Sequence, residues 1–196
     1  MLHPGPLFGD WPFTGLSPAS YGMIMADPPW DFSNWSEKGE VKNTKAHYRC
    51  MPMEWIMSLP VLDLAAPDSL LWCWGTPPML DQQIVCVKSW GFTYVTQGTW
   101  VKTTKNGKLH FGTGYFMRGA GEPFLLFKRG KPKIAARDIR NVFLAPVGKH
   151  SEKPAKSYQM CERMAPKVLR LELFSRTNRK GWDAWGDEIG KLGEAA

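Results

Sequence analysis

The stretch MIMADPPWDF, from Met23 to Phe32, joins a purely apolar run to an acid, two prolines and a tryptophan. From Tyr21 to Ala26 the apolar residues are continuous, as in a strand buried on both faces. Pro28 and Pro29 cannot extend that strand, because neither has an N–H for a ladder and each ring fixes φ at about −65°. The strand therefore stops at Asp27. Two readings follow: an ordinary turn, since Asp-Pro pairs open many turns, or a stiff set of oxygen acceptors displayed at a strand's mouth.

Working outward, Ser69 to Trp74 (SLLWCW) reads as a second buried strand, and Pro52 to Leu59 as a short helix interrupted by Pro60. Met79, Leu80, Ile84, Cys86, Val87 and Trp90 recur at helical spacing over Pro78 to Trp90, with Gly91 as the stop. Strand-like runs follow at Phe92 to Lys102, Pro123 to Lys128 and Val142 to Ala145. The first two are separated by the long Gly-rich, basic connection TTKNGKLHFGTGYFMRGAGE, and loops of that length are usually functional. A helix from Pro154 to about Met164 lines up Ala155, Tyr158, Cys161 and Ala165 before Pro166 ends it, and the strand LRLELF comes next. Strand and helix in alternation imply an α/β fold, a largely parallel sheet with helices on both faces. Ligands in such sheets sit beyond the carboxyl ends of the strands, where Asp27 and Arg176 fall.

The 196 residues suit one domain, 1–196, with 1–20 as an N-terminal extension and 189–196 as a tail. A net charge of +7 favours a polyanionic partner. Cys50, Cys73, Cys86 and Cys161 are scattered without a C-x-x-C pair, which points to reduced thiols rather than a disulfide framework or zinc site. No apolar run approaches the roughly 18 residues of a membrane span, and no signal-peptide pattern opens the chain, so a cytoplasmic protein is expected. His3, His47, His110 and His150 have no metal-like spacing. The glycines at Gly112, Gly114, Gly119 and Gly121 lack the G-x-G-x-x-G spacing, and no G-K-[ST] phosphate loop occurs.

The exocyclic amine of adenine or cytosine is a poor nucleophile, since its lone pair is delocalised into the ring. An enzyme that alkylates it must hold both N–H groups with acceptors. Asp27 offers a carboxylate, Pro28 a carbonyl, and Trp30 a flat face on which a base can stack.

The pieces ADPPWDF, HYRCMPMEWI, SLLWCWGT, WGFTYVTQGTWVKT, GTGYFMRGAGEPFLLFKRG, HSEKPAKSYQMCERMAP and RLELFSRTNRKGWDAWGDE follow one another in that order. The series resembles the adenine N(6)-methyltransferases of the MT-A-seventy type, the family of the catalytic subunit of the mRNA adenosine methyltransferase. The family also has small bacterial and phage members. The resemblance spans Tyr21 to Glu188. It implies a Rossmann-like, S-adenosylmethionine-dependent methyltransferase with permuted motif order, acting on the 6-amino group of adenine in DNA or, second, RNA. A bacterial or phage-infected cell is the setting it implies.

By the same resemblance, Asp27, Pro28, Pro29 and Trp30 form the catalytic corner, with Asp27 also touching the cofactor, and Tyr48 lies on a loop that closes over cofactor and base. Arg176, Asn178, Asp187 and Glu188 match cofactor-binding positions, although Asp187 stands where the family usually has an amide. Gly121 stands where the mRNA enzyme has a lysine for the cofactor's carboxylate. Arg118, oriented by Glu122, is the expected substitute cation, and Lys153 the second candidate. Lys102, Lys105, Lys108, Arg179 and Lys180, with the basic piece KRGKPK, are the expected nucleic-acid rim. A homodimer or partner subunit is expected to supply specificity. The competing class is a degenerate member that only grips nucleic acid or supports a partner; the intact D-P-P-W argues against it. Cytosine-amine methylation ranks lower still, because those enzymes typically begin the motif with Ser.

Overall fold

Tyr21–Ala26 forms β1, buried at all six positions, which a continuous apolar run requires. The computed structural model describes residues 11–31, 50–114, 116–148, 152–187, 189 and 194–195. β1 lies between β2 (Ala65–Trp74) and β6 (Leu169–Leu173), parallel to both, so that Ala26 is level with Cys73 and Leu173. Outward from β2 run β4 (Gly121–Arg129), β3 (Thr93–Thr103) and β5 (Val142–Pro146); beyond β6 lies β8 (Asp183–Trp185). A two-residue strand, β7 (Asn178–Arg179), pairs separately with β9 (Glu194–Ala195).

β4 pairs antiparallel with both β2 and β3, whereas β1–β2, β1–β6, β3–β5 and β6–β8 are parallel pairs. The expected largely parallel sheet is thus a mixed one in which β4 alone is reversed. The reason lies in the connection: β4 follows β3 without a crossover helix, so it returns beside its predecessor. β8, three residues long, carries no periodicity that a sequence could show.

The strand alternation sorts the core into two faces. Tyr21, Ile24 and Ala26 join Leu71 and Cys73 under α1 (Met53–Met57) and α2 (Leu80–Ser89), which contribute Ile56, Cys86 and Val87. Met23 and Met25 join Leu70, Trp72 and Trp74 under α3 (Ala155–Met164), which contributes Tyr158, Met160, Cys161 and Met164. Gly91, the predicted stop, closes α2 with φ +86°, a conformation that favours glycine. Residues 11–20 are part of the packed body rather than an appendage: Phe13 is buried against Trp185 at 4.9 Å, and Trp185 Nε1–H donates to the Pro12 carbonyl at 3.1 Å. Among the described residues no helix is long and apolar enough to cross a membrane.

Candidate active site

The corner after β1 is clamped to its neighbours by backbone bonds. Asp27 N–H donates to the Leu173 carbonyl at the end of β6 (3.4 Å), Trp30 N–H to the Pro28 carbonyl (2.8 Å), and Met51 N–H to the Pro29 carbonyl (2.9 Å). Pro28 is buried and Pro29 half-buried, while the Asp27 side chain keeps 28% of its surface. The acid therefore stands open at the carboxyl end of β1. The Pro28 carbonyl has two lone pairs, so the bond from Trp30 leaves capacity for a second donor.

Trp30 departs from expectation. Its ring is 4% exposed, packed with the core face of α1 and α2, and its Nε1–H donates to the Trp74 carbonyl at 3.4 Å. A buried indole with its N–H satisfied is an anchor that ties the corner to the end of β2, not an open face for a base.

A chain of alternating charge runs across the strand ends. Lys153 Nζ lies 3.0 Å from Asp27 Oδ2 and 2.6 Å from Glu122 Oε1, and Lys102 Nζ lies 2.6 Å from Glu122 Oε2. Lys153 is 10% exposed, with its ammonium 5.1 Å above the Trp74 ring; that of Lys102 sits 5.0 Å from the Trp100 ring. Burial pushes the Asp27 carboxyl above its ordinary value, against the pull of Lys153. At Glu122 burial pushes the same way, but Lys153 and Lys102 together outweigh it and hold the carboxyl below its usual range. Burial would lower Lys153, yet Asp27 and Glu122 overcome it and hold the ammonium well above the ordinary lysine value. The two carboxylates thus favour the charged form of Lys153.

A second polar cluster lies on the α3 face. Tyr158 O–H donates to Glu172 Oε1 (2.6 Å), Ser175 Oγ–H faces Glu172 Oε2 (2.9 Å), and the Arg179 guanidinium sits 4.1 Å from the Tyr158 ring. Burial raises the Glu172 carboxyl, partly offset by the Tyr158 and Ser175 hydroxyls. Glu172 pairs in register with Met25, two residues before Asp27, and the Asp27 charge adds to its rise. Gly186 makes this end of β6 possible, because a Cβ there would meet the Ser175 carbonyl oxygen at 2.6 Å.

The predicted site residues thus separate. Asp27, Glu122 and Lys153 come together, and Arg176, half-buried past the end of β6, acts electrostatically on Asp27. Arg118 does not join them: it is exposed, its guanidinium 4.8 Å from the Phe111 ring, and Glu122 is engaged by Lys153 and Lys102 instead. Asn178 and Asp187 are exposed; Tyr48 and Glu188 lie outside the described residues. Of the expected rim, Lys105, Lys108 and Lys180 are exposed, whereas Lys102 is held by Glu122 and Arg179 is half-buried on Tyr158. KRGKPK begins on the last two residues of β4, at the opposite end of the sheet, because Arg129 pairs with Ser69 toward the start of β2 while Phe124 pairs with Trp74 at its end. It cannot rim the corner. Among the described residues no group of three or more His, Cys, Asp or Glu could hold a metal ion.

Glu172 and Ser175 are not singled out by the sequence, and Tyr158 is expected only as part of the lining face of its helix. The signal for Glu172 was a carboxylate between Leu171 and Leu173 in a strand next to β1.

An α/β sheet with six strands in one direction and an acid-Pro-Pro corner at its carboxyl edge defines a Rossmann-like domain of the methyltransferase type. The chain belongs to the MT-A70 family, whose model matches residues 21–188. It is 32% identical to the type II methyltransferase M.MunI of a Mycoplasma species, over 90% of this chain and 81% of that protein. It is 29% identical to the N(6)-adenosine-methyltransferase MT-A70-like of Arabidopsis thaliana, and 27% to the human N(6)-adenosine-methyltransferase catalytic subunit METTL3. Those two matches cover 87% and 86% of this chain but only 24% and 28% of the longer relatives.

Proposed function

We infer that this chain is an S-adenosylmethionine-dependent methyltransferase acting on the 6-amino nitrogen of adenine in nucleic acid. The observation that carries the reading is the Asp27 carboxylate, 28% exposed at the end of β1 and 3.0 Å from the nearly buried ammonium of Lys153. DNA is favoured over RNA, because a relative matched over 81% of its length is a type II methyltransferase, while the relatives named for adenosine are matched over only 24% and 28% of theirs.

The residues suit the cofactor's amino-acid end, which carries both a carboxylate and an ammonium. Lys153 is the cation for the first, replacing the expected Arg118, and Asp27 and Glu122 offer acceptors for the second. Arg176, Asn178, Asp187 and Glu188 are the proposed contacts toward its nucleoside end. When bound, S-adenosylmethionine supplies a methyl group on a sulfonium, activated for attack by a nitrogen lone pair.

The protein's own part is positioning. Asp27 and the Pro28 carbonyl accept the two N–H groups of the adenine amine, and the proline rings keep both acceptors fixed before the base arrives. Pro29, and Tyr48 on the family's closing loop, pack around the base; Trp30 holds the corner from behind. The proton shed by the amine goes to water or to Asp27. From duplex DNA the adenine must be extruded, at a cost of roughly a few kcal/mol.

The test is incubation with labelled S-adenosylmethionine and matched single- and double-stranded DNA and RNA, followed by digestion. N(6)-methyladenine in the digest of any of the four supports the reading, and its rank order among them sets the substrate. No detectable cofactor affinity at millimolar concentration would instead place the chain among non-catalytic members of the fold.

A further inference from the structure

Between β3 and β4 the chain leaves the sheet for residues 104–120 and returns beside the site. The excursion is folded on itself: Thr104 N–H donates to the Lys108 carbonyl (2.7 Å), His110 N–H to Lys102 (2.9 Å), Gly112 N–H to Gly119 (2.9 Å) and Gly119 N–H to Thr113 (3.1 Å). The backbone is held at these points, yet the large apolar side chains of Leu109, Phe111, Phe116 and Met117 face water. Leu109 and Met117 are exposed, Phe111 is 74% exposed and Phe116 97%. Phe116 takes φ +56°, a left-handed conformation that a bulky residue seldom adopts unless its surroundings impose it. Four large apolar side chains exposed within residues 109–117 point to an interaction surface.

Its charge says what it fits. Residues 104–120 contain Lys105, Lys108 and Arg118 and no Asp or Glu. Arg118 lies 4.8 Å from the Phe111 ring, so cation and aromatic face form one unit. Flat rings interleaved with cations, without an acid, match a polymer that presents both phosphates and stackable bases. The base of the excursion also belongs to the site. Lys102 N–H donates to the Ala120 carbonyl at 2.8 Å, and the Lys102 side chain begins the ion chain through Glu122 and Lys153 to Asp27.

We propose that residues 104–120 are an aromatic grip on the nucleotides flanking the target adenine, with Phe111 and Phe116 stacking on bases and Lys105 and Lys108 meeting phosphates. This rests on the nucleic-acid reading above and deepens it. The grip is independent of sequence, and it steadies the strand while the adenine occupies the corner. It also gives a role to Arg118, which braces Phe111 instead of meeting the cofactor.

The test compares full-length wild type with Phe111→Ala/Phe116→Ala, using an oligonucleotide that carries fluorescent 2-aminopurine next to the target adenine. Both phenylalanines are exposed, so the melting temperature and the calorimetric S-adenosylmethionine affinity stay unchanged. Nucleic-acid affinity falls about 10- to 100-fold and the stacking quench of 2-aminopurine is lost. Phe111→Trp/Phe116→Trp keeps binding and quench at the wild-type level. Lys105→Gln/Lys108→Gln lowers the slope of log affinity against log salt by about 1.4 to 1.8. Wild-type affinity and quench in the alanine variant overturn the grip while leaving the methyltransferase reading intact. So does a variant that changes only its oligomeric state, which would make the excursion a contact between two copies. A wild-type protein that binds neither DNA nor RNA overturns both readings together.

Discussion

Lys153 stands between Asp27 and Glu122, 3.0 Å from one carboxylate and 2.6 Å from the other, and is nearly enclosed. Lys153 is therefore shared by two acids at the edge of the sheet, of which Glu122 is also met by Lys102. Lys153→Met keeps the apolar stem and deletes the charge, leaving Asp27 unpaired beside Glu122. Breaking a largely buried pair from one side costs about 3 kcal/mol. Urea denaturation should show that loss, and calorimetry a cofactor affinity at least ten-fold weaker, about 1.4 kcal/mol. Unchanged cofactor affinity would mean that Lys153 serves the fold alone.

The same pair sets a pH dependence. Ionised Asp27 is the stronger acceptor and can take the amine's proton, whereas the protonated acid cannot; burial holds its carboxyl above the ordinary value, with Lys153 pulling it back down. Methyl transfer should therefore fall, as pH drops, at a higher pH than an ordinary aspartate would dictate. In Lys153→Met the pull is gone, so this acid limb moves further up. The measurement is single-turnover rate against pH; an acid limb that stays fixed in the variant would separate Asp27 from the titration.

Trp30 provides a check on the anchor role. Trp30→Ala empties a buried site and should destabilise the protein by about 3–5 kcal/mol. Trp30→Phe retains most of the packing and loses the bond to the Trp74 carbonyl, for about 1 kcal/mol, with methyl transfer largely preserved. If Trp30→Phe folds normally but its KM for nucleic acid rises ten-fold or more, the ring meets the base after all.

Far from the site, Tyr21 O–H donates to Asp183 Oδ2 at 2.6 Å, joining β1 to β8. Burial first, then the bond to Asp183 and its charge, push the phenol from 10.0 up to about 12. The folded state holds this proton more tightly than the unfolded state, so the contribution is complete below pH 10 and is lost as pH rises toward 12. Thermal melts across that interval should show a decline that Tyr21→Phe flattens. A parallel decline in both proteins would assign it to other groups.

How much of this was legible depends on the range of the contact that decides each feature. β1 could be read to the residue, because six apolar positions followed by Asp-Pro-Pro fix both its burial and its end locally. The reversal of β4 could not, since it depends on what the connection after β3 lacks. Arg118, close to Glu122 in sequence, is the expected cation. It loses because 104–120 folds outward, while α3, packed across Trp74 and its neighbours, brings the distant Lys153 over the corner. In LRLELF, Arg170 and Glu172 alternate with leucines and suggest a solvated face. α3 covers that face, and both charges are met internally: Arg170 Nη2–H donates to the Pro166 carbonyl at 2.8 Å, and Glu172 accepts from Tyr158.

The central claim is that the corner at Asp27 holds an adenine amine for methylation. Its most direct test is mass-spectrometric counting of N(6)-methyladenine in adenine-containing DNA after incubation with cofactor and either wild type or Asp27→Ala, each first shown by circular dichroism to be folded. The account predicts methyladenine with wild type and none above background with Asp27→Ala. Equal methylation by the two proteins would contradict it.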